Sequence, residues 1–396
     1  MPERLYYSDP SCLEFDATVT TASRLDGRPA VALDTSAFYP TSGGQPFDTG
    51  SLGEARVLDV VESDDGVVWH VIDREIAAGS RVHGSIDRDR RFDHMQQHTG
   101  QHLLSAAFDR LHGARTVGFH LGAAVSTVDL SLDLPAEAIA AAEAEANRVV
   151  WEDRPVAIRF ASAEEAATLP LRKEPDRAGV LRLIDVEGYD LSACGGTHVA
   201  RTGAIGLVAV LSAERLRGGT RLEFVCGGRA LRALRLYRDA VAGCIRSVSV
   251  APAELPAAIE RLQAESKDQR KLTRDLQDRL AVFEARELAA SAEEVGGARQ
   301  VVRALDGKSQ NELKTMAQAI CESPGVRVAL FSTAAPYVAV VARSKDAKAD
   351  CAAVVKALVA AFGGRGGGRP EMAQCGGLAG DLPQVLAAAT AAFEGR

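Results

Sequence analysis

The chain has 396 residues, 46% of them hydrophobic and 25% charged, with a formal net charge of −7. That length admits two or three domains with cores of their own, and no apolar run approaches the ~20 residues of a membrane helix. The acidic balance argues against indiscriminate coating of nucleic acid, though not against a local basic face. The first residues, MPERLYYSDPSCLEF, are polar where a secretory leader is apolar, so a cytoplasmic protein is expected. Cys12, Cys194, Cys226, Cys244, Cys321, Cys351 and Cys375 form no disulfide framework. Of these, Cys194 alone stands in a motif.

Residues 1–90 read as a small β-barrel or sandwich. Short alternating runs at 17–21, 30–33, 55–61, 67–72 and 82–86 are punctuated by Asp26-Gly27, Gly43-Gly44 and Asp65-Gly66. A long helix is expected from Asp93, as N-cap, to Gly113, with Met95, Leu103, Leu104, Phe108 and Leu111 apolar. Gly100 inside it implies a close approach to the backbone, by a ligand or by a packed strand. A strand at 123–132 and a helix from Pro135 to near Asp153 follow. Further strands are expected at 156–160, 180–186, 205–212 and 221–225, giving an α+β core over 91–248. Within it, Arg215, Arg217, Arg221, Arg229, Arg232, Arg235 and Arg238 form a basic stretch, read as a solvated face or a nucleic-acid path. From 249 to 295 a charged helical arm carries Leu255, Ile259, Leu262, Leu272, Leu276, Leu280 and Phe283 at three- and four-residue steps, a candidate coiled coil that either dimerises or holds the ends apart; a homodimer is expected through this arm or the C-terminal domain. Residues 296–396 return to an α/β pattern with a glycine-rich loop at 363–370, where glycine amides beside Arg365 and Arg369 suit a phosphate.

Two motifs carry the chemistry. His98-Thr-Gly-Gln-His102 places two imidazoles one helical turn apart on one face. Cys194-Gly-Gly-Thr-His198 supplies a thiolate and a third imidazole. Three nitrogens and one sulfur are a zinc donor set. His94 either extends that face or is a first-turn histidine, and His70, His83 and His112 read as surface residues.

The wording of AFYPTSGGQPFDTG (37–50), QQHTGQHLL (96–104), GFHLG (118–122), DLSACGGTHVARTGAIG (190–206) and GGGRPEMAQCGG (366–377) resembles the alanyl-tRNA editing proteins. These are freestanding relatives of the alanyl-tRNA synthetase editing half, in the variant with a C-terminal DHHA1 domain. CGGTH points to the alanyl rather than the threonyl branch. The resemblance implies an N-terminal barrel, a zinc editing core, a helical arm and a DHHA1-like domain. It further implies zinc held by His98, His102, Cys194 and His198, and hydrolysis in trans of mischarged tRNA(Ala), mainly Ser-tRNA(Ala) with Gly-tRNA(Ala) second. Zinc is either catalytic or architectural, since four protein ligands close a tetrahedron. Selecting serine needs a hydrogen bond to its hydroxyl; Thr41, Gln45 and Thr99 are the candidate contacts. His120 falls where the family lines the cleft, and reads equally as a structural histidine at a strand start. Ser42 stands where the family commonly has the first of three glycines. Binding of tRNA without catalysis is the alternative function.

Overall fold

The structure is a computed structural model describing residues 3–172, 179–295 and 297–395. The chain divides into two compact units, Met1–Cys244 and Ile245–Arg396. The barrel and the α+β core expected as separate domains thus share one unit, and the arm belongs with the C-terminal domain.

Strands Glu14–Leu25, Arg28–Leu33, Gly50–Leu52, Ala55–Glu62, Val68–Ile72 and Arg81–Ile86 close into a barrel. Alternation sends Phe15, Ala17 and Val19 inward, onto Val31, Leu52, Val57 and Ile72. His70 shares that inward face. It is buried rather than at the surface, with Nε2 2.8 Å from Ser36 Oγ.

The helix that follows runs Arg88–His112, beginning earlier than Asp93. Its N-cap is Asp87, whose carboxylate accepts from the Asp89 and Arg90 amides, and Gly113 ends it in the left-handed region. Buried along most of its length, it packs Met95, Leu103, Leu104 and Phe108 against helix Ala136–Trp151 and a four-stranded sheet. The sheet order is Val208–Leu216, Gly219–Cys226, Ser126–Leu130, Thr116–Leu121. Gly100 is explained by the strand: a Cβ there would meet Cys226 Sγ at 2.2 Å. Arg91 crosses to the barrel, pairing with buried Asp48 at 2.5 Å. A three-stranded sheet, Val156–Ala161, Leu181–Val186 and Asp190–Ala193, delivers the chain to the CGGTH loop.

In the second unit, helix Leu255–Ala290 packs Ala281, Ala285 and Ala289, with Leu288 beside them, onto helix Gln310–Ile320 and its sheet. Ile259, Leu262, Leu272, Leu276, Leu280 and Phe283 are exposed. The glycine-rich segment is no loop: Arg365–Arg369 is the edge strand of a six-stranded sheet, paired antiparallel with Met372–Leu378. No helix among the described residues is long and apolar enough to cross a membrane.

Candidate metal centre and its cleft

Local structure brings the ligand candidates together from two elements. His98 and His102, a turn apart on the long helix, have ring centroids 5.5 Å apart. Cys194 directly follows strand Asp190–Ala193, and its amide donates to the Arg182 carbonyl across the sheet. From there the loop turns His198 to within 4.6 Å of the His98 ring and 4.7 Å of the His102 ring. One donor atom from each of the four residues lies within 4.8 Å of the others. Cys194 Sγ is 3.3 Å from both His98 Nε2 and His198 Nε2, close to the edge of a tetrahedron built on zinc bonds, about 3.3–3.7 Å.

Each imidazole is oriented through its other nitrogen. His98 Nδ1 is 2.8 Å from Gln45 Oε1, His102 Nδ1 is 3.1 Å from Asp190 Oδ2, and His198 Nδ1 is 3.2 Å from Thr99 Oγ1. Donation from Nδ1 turns Nε2 inward, as the atom that would take a metal once it carries no proton. Asp190 is itself anchored, accepting from Arg172 Nε at 2.6 Å and from the Ser192 hydroxyl at 3.0 Å. Burial opposes its charge, but His102 and Arg172 outweigh burial and hold the carboxyl well below the usual range. Burial likewise opposes the Cys194 thiolate, and the surrounding imidazoles outweigh it, bringing the thiol well below its ordinary value. His198 is pushed down to about 3 by burial, despite Cys194, and so stays neutral. Burial opposes a charge on His102, but Asp190 and Cys194 outweigh it and raise its pKa to about 9, so an ion would displace a proton there. Three imidazoles and a thiolate are a donor set that fits zinc.

Gln45 reaches His98 from a tight turn. Ser42 and Gln45 exchange backbone hydrogen bonds of 3.1 and 2.9 Å around Gly43 (φ 55°) and Gly44 (φ 81°). Both central residues have positive φ, which glycine tolerates; Ser42 does not, so serine fits there without strain. Gln45 also clamps the loop, accepting from the Thr197 amide at 3.1 Å and donating to its hydroxyl at 2.9 Å. Gly196 makes room: a Cβ would meet His98 Cε1 at 2.2 Å.

The expected substrate contacts change accordingly. Thr99 donates to the Met95 carbonyl at 2.8 Å and accepts from the Val199 amide and His198, so its hydroxyl is saturated. Gln45 is fully buried and spent on His98 and Thr197. Both contact candidate ligands instead. Thr41 is exposed, accepts from the Phe47 amide at 3.2 Å, and does not line the cleft. His120 is exposed too; alternation turns its neighbour Phe119 into the cleft, 5.4 Å from the His98 ring. His94 is buried but outside the cluster, its pKa lowered to about 4 by burial and by Arg90.

A cleft of about 1100 Å³ opens on the cluster. His98, His102 and Cys194 line it, with Tyr6, Tyr7, Tyr39, Phe119, Arg172 and Arg182. The tyrosines, Arg172, Arg182 and Asp190 escaped sequence reasoning because their partners lie far along the chain. The basic stretch contributes less free charge than its composition suggests. Arg215 pairs with Asp133, Arg221 with Asp129, Arg229 and Arg232 with Asp93, and Arg238 with Asp239.

Known proteins give this arrangement its lineage. Residues 181–223 match the threonyl and alanyl tRNA synthetase second additional domain, and residues 297–395 match the DHHA1 domain. The alanine–tRNA ligase of Methanoregula boonei is 34% identical over 395 residues, covering 95% of this chain and 41% of the ligase. That of Methanoculleus marisnigri is 35% identical over 390 residues, covering 95% and 41%. The chain thus spans less than half the length of these relatives. Among solved structures, the C-Ala domain of Aquifex aeolicus alanyl-tRNA synthetase aligns with 26% of this chain and 96% of its own, at 25% identity and a TM-score of 0.22. With both domains matched and likeness to the ligases along nearly its whole length, the chain is related to the region of the alanine–tRNA ligases that carries these domains.

Proposed function

We propose that this chain is a zinc-dependent deacylase, acting in trans on tRNA(Ala) mischarged mainly with serine and secondarily with glycine. The observation that carries the reading is the cluster itself: three Nδ1-tethered imidazoles and a thiolate, on the wall of a cleft of about 1100 Å³. His98, His102, Cys194 and His198 would hold the ion. Zinc so held supplies Lewis acidity toward an ester carbonyl, a more acidic water, or a grip on sugar hydroxyls. The chain's own residues do the rest. Gln45, Asp190 and Thr99 fix the imidazoles, the Phe119 ring covers His98, and Arg182 holds the loop by its Cys194 and Gly196 carbonyls, at 2.7 and 2.9 Å.

A second reading rests on the completeness of the donor set. Four buried or half-buried protein ligands close a tetrahedron, as in architectural zinc sites, which would leave a tRNA-binding protein without turnover. Hydrolysis of Ser-tRNA(Ala), Ala-tRNA(Ala) and Thr-tRNA(Thr) by the chain and by Cys194→Ala separates the two. Release of serine alone, abolished in a still-folded Cys194→Ala, is the expected result. No hydrolysis of any charged tRNA with zinc bound would leave the binding protein.

A further inference from the structure

Of the three residues expected to meet a serine hydroxyl, Thr99 and Gln45 are taken up within the protein and Thr41 stands outside the cleft. The long helix offers another. It turns His98, Gln101 and His102 onto the cleft, while Thr99 meets the Val199 amide and Gly100 packs on Cys226. Gln101 follows His98 by three residues, a spacing that sets side-chain bases about 5–6 Å apart on one helix face. The next residue of this helix on the cleft, Asp109, lies two turns beyond His102, about 10 Å along the axis.

Gln101 is 6% exposed, and one end of its amide is held. Nε2 donates to Ser105 Oγ at 2.7 Å, where the Thr116 hydroxyl also donates, at 2.6 Å. The other end accepts nothing. No described residue donates to Gln101 Oε1, and that oxygen is not sealed as the unpartnered Ser126 Oγ is. It is an acceptor on a nearly buried side chain, still open to the cleft. Other polar groups of the wall are committed: Ser192 and Arg172 to Asp190, Thr116 to Ser105, Tyr39 to the Ser42 carbonyl. The Phe119 ring, 5.4 Å from that of His98, adds apolar surface.

An open acceptor takes a donor, and a nearly buried one gains most from it. We propose that Gln101 is the specificity residue of the cleft, accepting the hydroxyl proton of a seryl group through Oε1. The inference rests on the deacylase reading. A seryl ester satisfies the oxygen. An alanyl ester leaves it without that partner, so correctly charged tRNA loses binding that the mischarged one keeps.

Two esters of one shape test it. Seryl and 2-aminobutyryl groups differ only by a methyl in place of the hydroxyl. On the full chain, kcat/KM for Ser-tRNA(Ala) is expected to exceed that for 2-aminobutyryl-tRNA(Ala) about tenfold. In Gln101→Leu, which keeps bulk and helix propensity but has no acceptor, that ratio is expected to fall to about one. Gln101→Ala, which needs no new space, is expected to show the same collapse. A ratio preserved in either variant, whether or not both esters slow together, would overturn the proposal and pass the hydroxyl to another cleft group, such as Tyr7. A wild type that hydrolyses both esters with equal kcat/KM would overturn it too, leaving the deacylase reading in place. A wild type inert toward every ester would overturn that reading, and the role of Gln101 with it.

Discussion

His70 is held in the barrel core as a neutral ring, with Nδ1 3.2 Å from the Val31 carbonyl and Nε2 2.8 Å from Ser36 Oγ. Burial pushes its pKa down to about 4, against the smaller upward pull of the Val31 carbonyl. The unfolded chain takes up a proton near pH 6.5, while the folded chain refuses it until about pH 4. Stability from this residue is therefore complete above pH 6.5 and is lost as pH falls toward 4. Its size is at most about 3 kcal/mol. The unfolding free energy of the wild type minus that of His70→Gln, measured in urea from pH 7 to pH 4, should shrink by about that amount. A difference that stays constant with pH would contradict it. Alternation along Val68–Ile72 puts His70 on the face of Val68 and Ile72, so its burial was legible had periodicity outweighed polarity. The two pairs that form the candidate cluster were legible because each sits within one turn or one loop. Their orienting partners were not: Gln45 lies 53 residues from His98, and Asp190 lies 88 from His102. Only the fold brings those together.

Between elements, the Arg91–Asp48 pair binds the long helix to the barrel. Arg91 is 1% exposed and Asp48 0%. The guanidinium also donates to the Pro10 carbonyl at 2.7 Å and the Ala37 carbonyl at 2.5 Å, and Asp48 Oδ2 accepts from the Tyr39 amide at 2.7 Å. Such a pair stabilises little against an apolar replacement, but breaking it strands a buried charge. Arg91→Met should lower the unfolding free energy by about 3–5 kcal/mol. Adding Asp48→Asn, which removes the stranded charge, should recover part of that loss. Urea unfolding at pH 7 measures both, and a loss below about 1 kcal/mol for Arg91→Met would show the carboxylate to be solvated. The same anchoring explains why the helix start was misplaced. Arg88, Asp89, Arg90 and Arg91 carry no apolar stripe, so periodicity begins only at Met95, whereas the first turns are set by the Asp87 cap and by polar pairs to the barrel. At the other end of the chain, glycine-rich composition signals a loop. Antiparallel pairing with Met372–Leu378 makes Arg365–Arg369 a strand, and no local pattern announces that partner.

The whole molecule keeps its chemistry and its second core in different units. All four ligand candidates lie in Met1–Cys244, on a helix and a loop that an ion would tie across a separation of 96 residues. The unit Ile245–Arg396 has its own clusters, one around Phe331, Val341 and Leu358 and another around Leu313, Met316 and Ile320, and none of its described residues belongs to the candidate cluster. An ion bound only by the folded site stabilises that unit by mass action, about 2.7 kcal/mol at a free concentration one hundred times its dissociation constant. For a unit of this size that is a shift of about 5–10 °C. Calorimetry of the full chain, with zinc and then with a chelator, should show one transition falling by that amount on chelation while the other stays in place. In Cys194→Ala the mobile transition should lose most of its zinc dependence, because a thiolate is removed from the donor set. Two transitions moving together would mean that the units unfold as one. A zinc-independent scan of the wild type would mean that the cluster does not hold the ion. Because the readout is thermal, it tests the metal centre without any assumption about what the cleft hydrolyses.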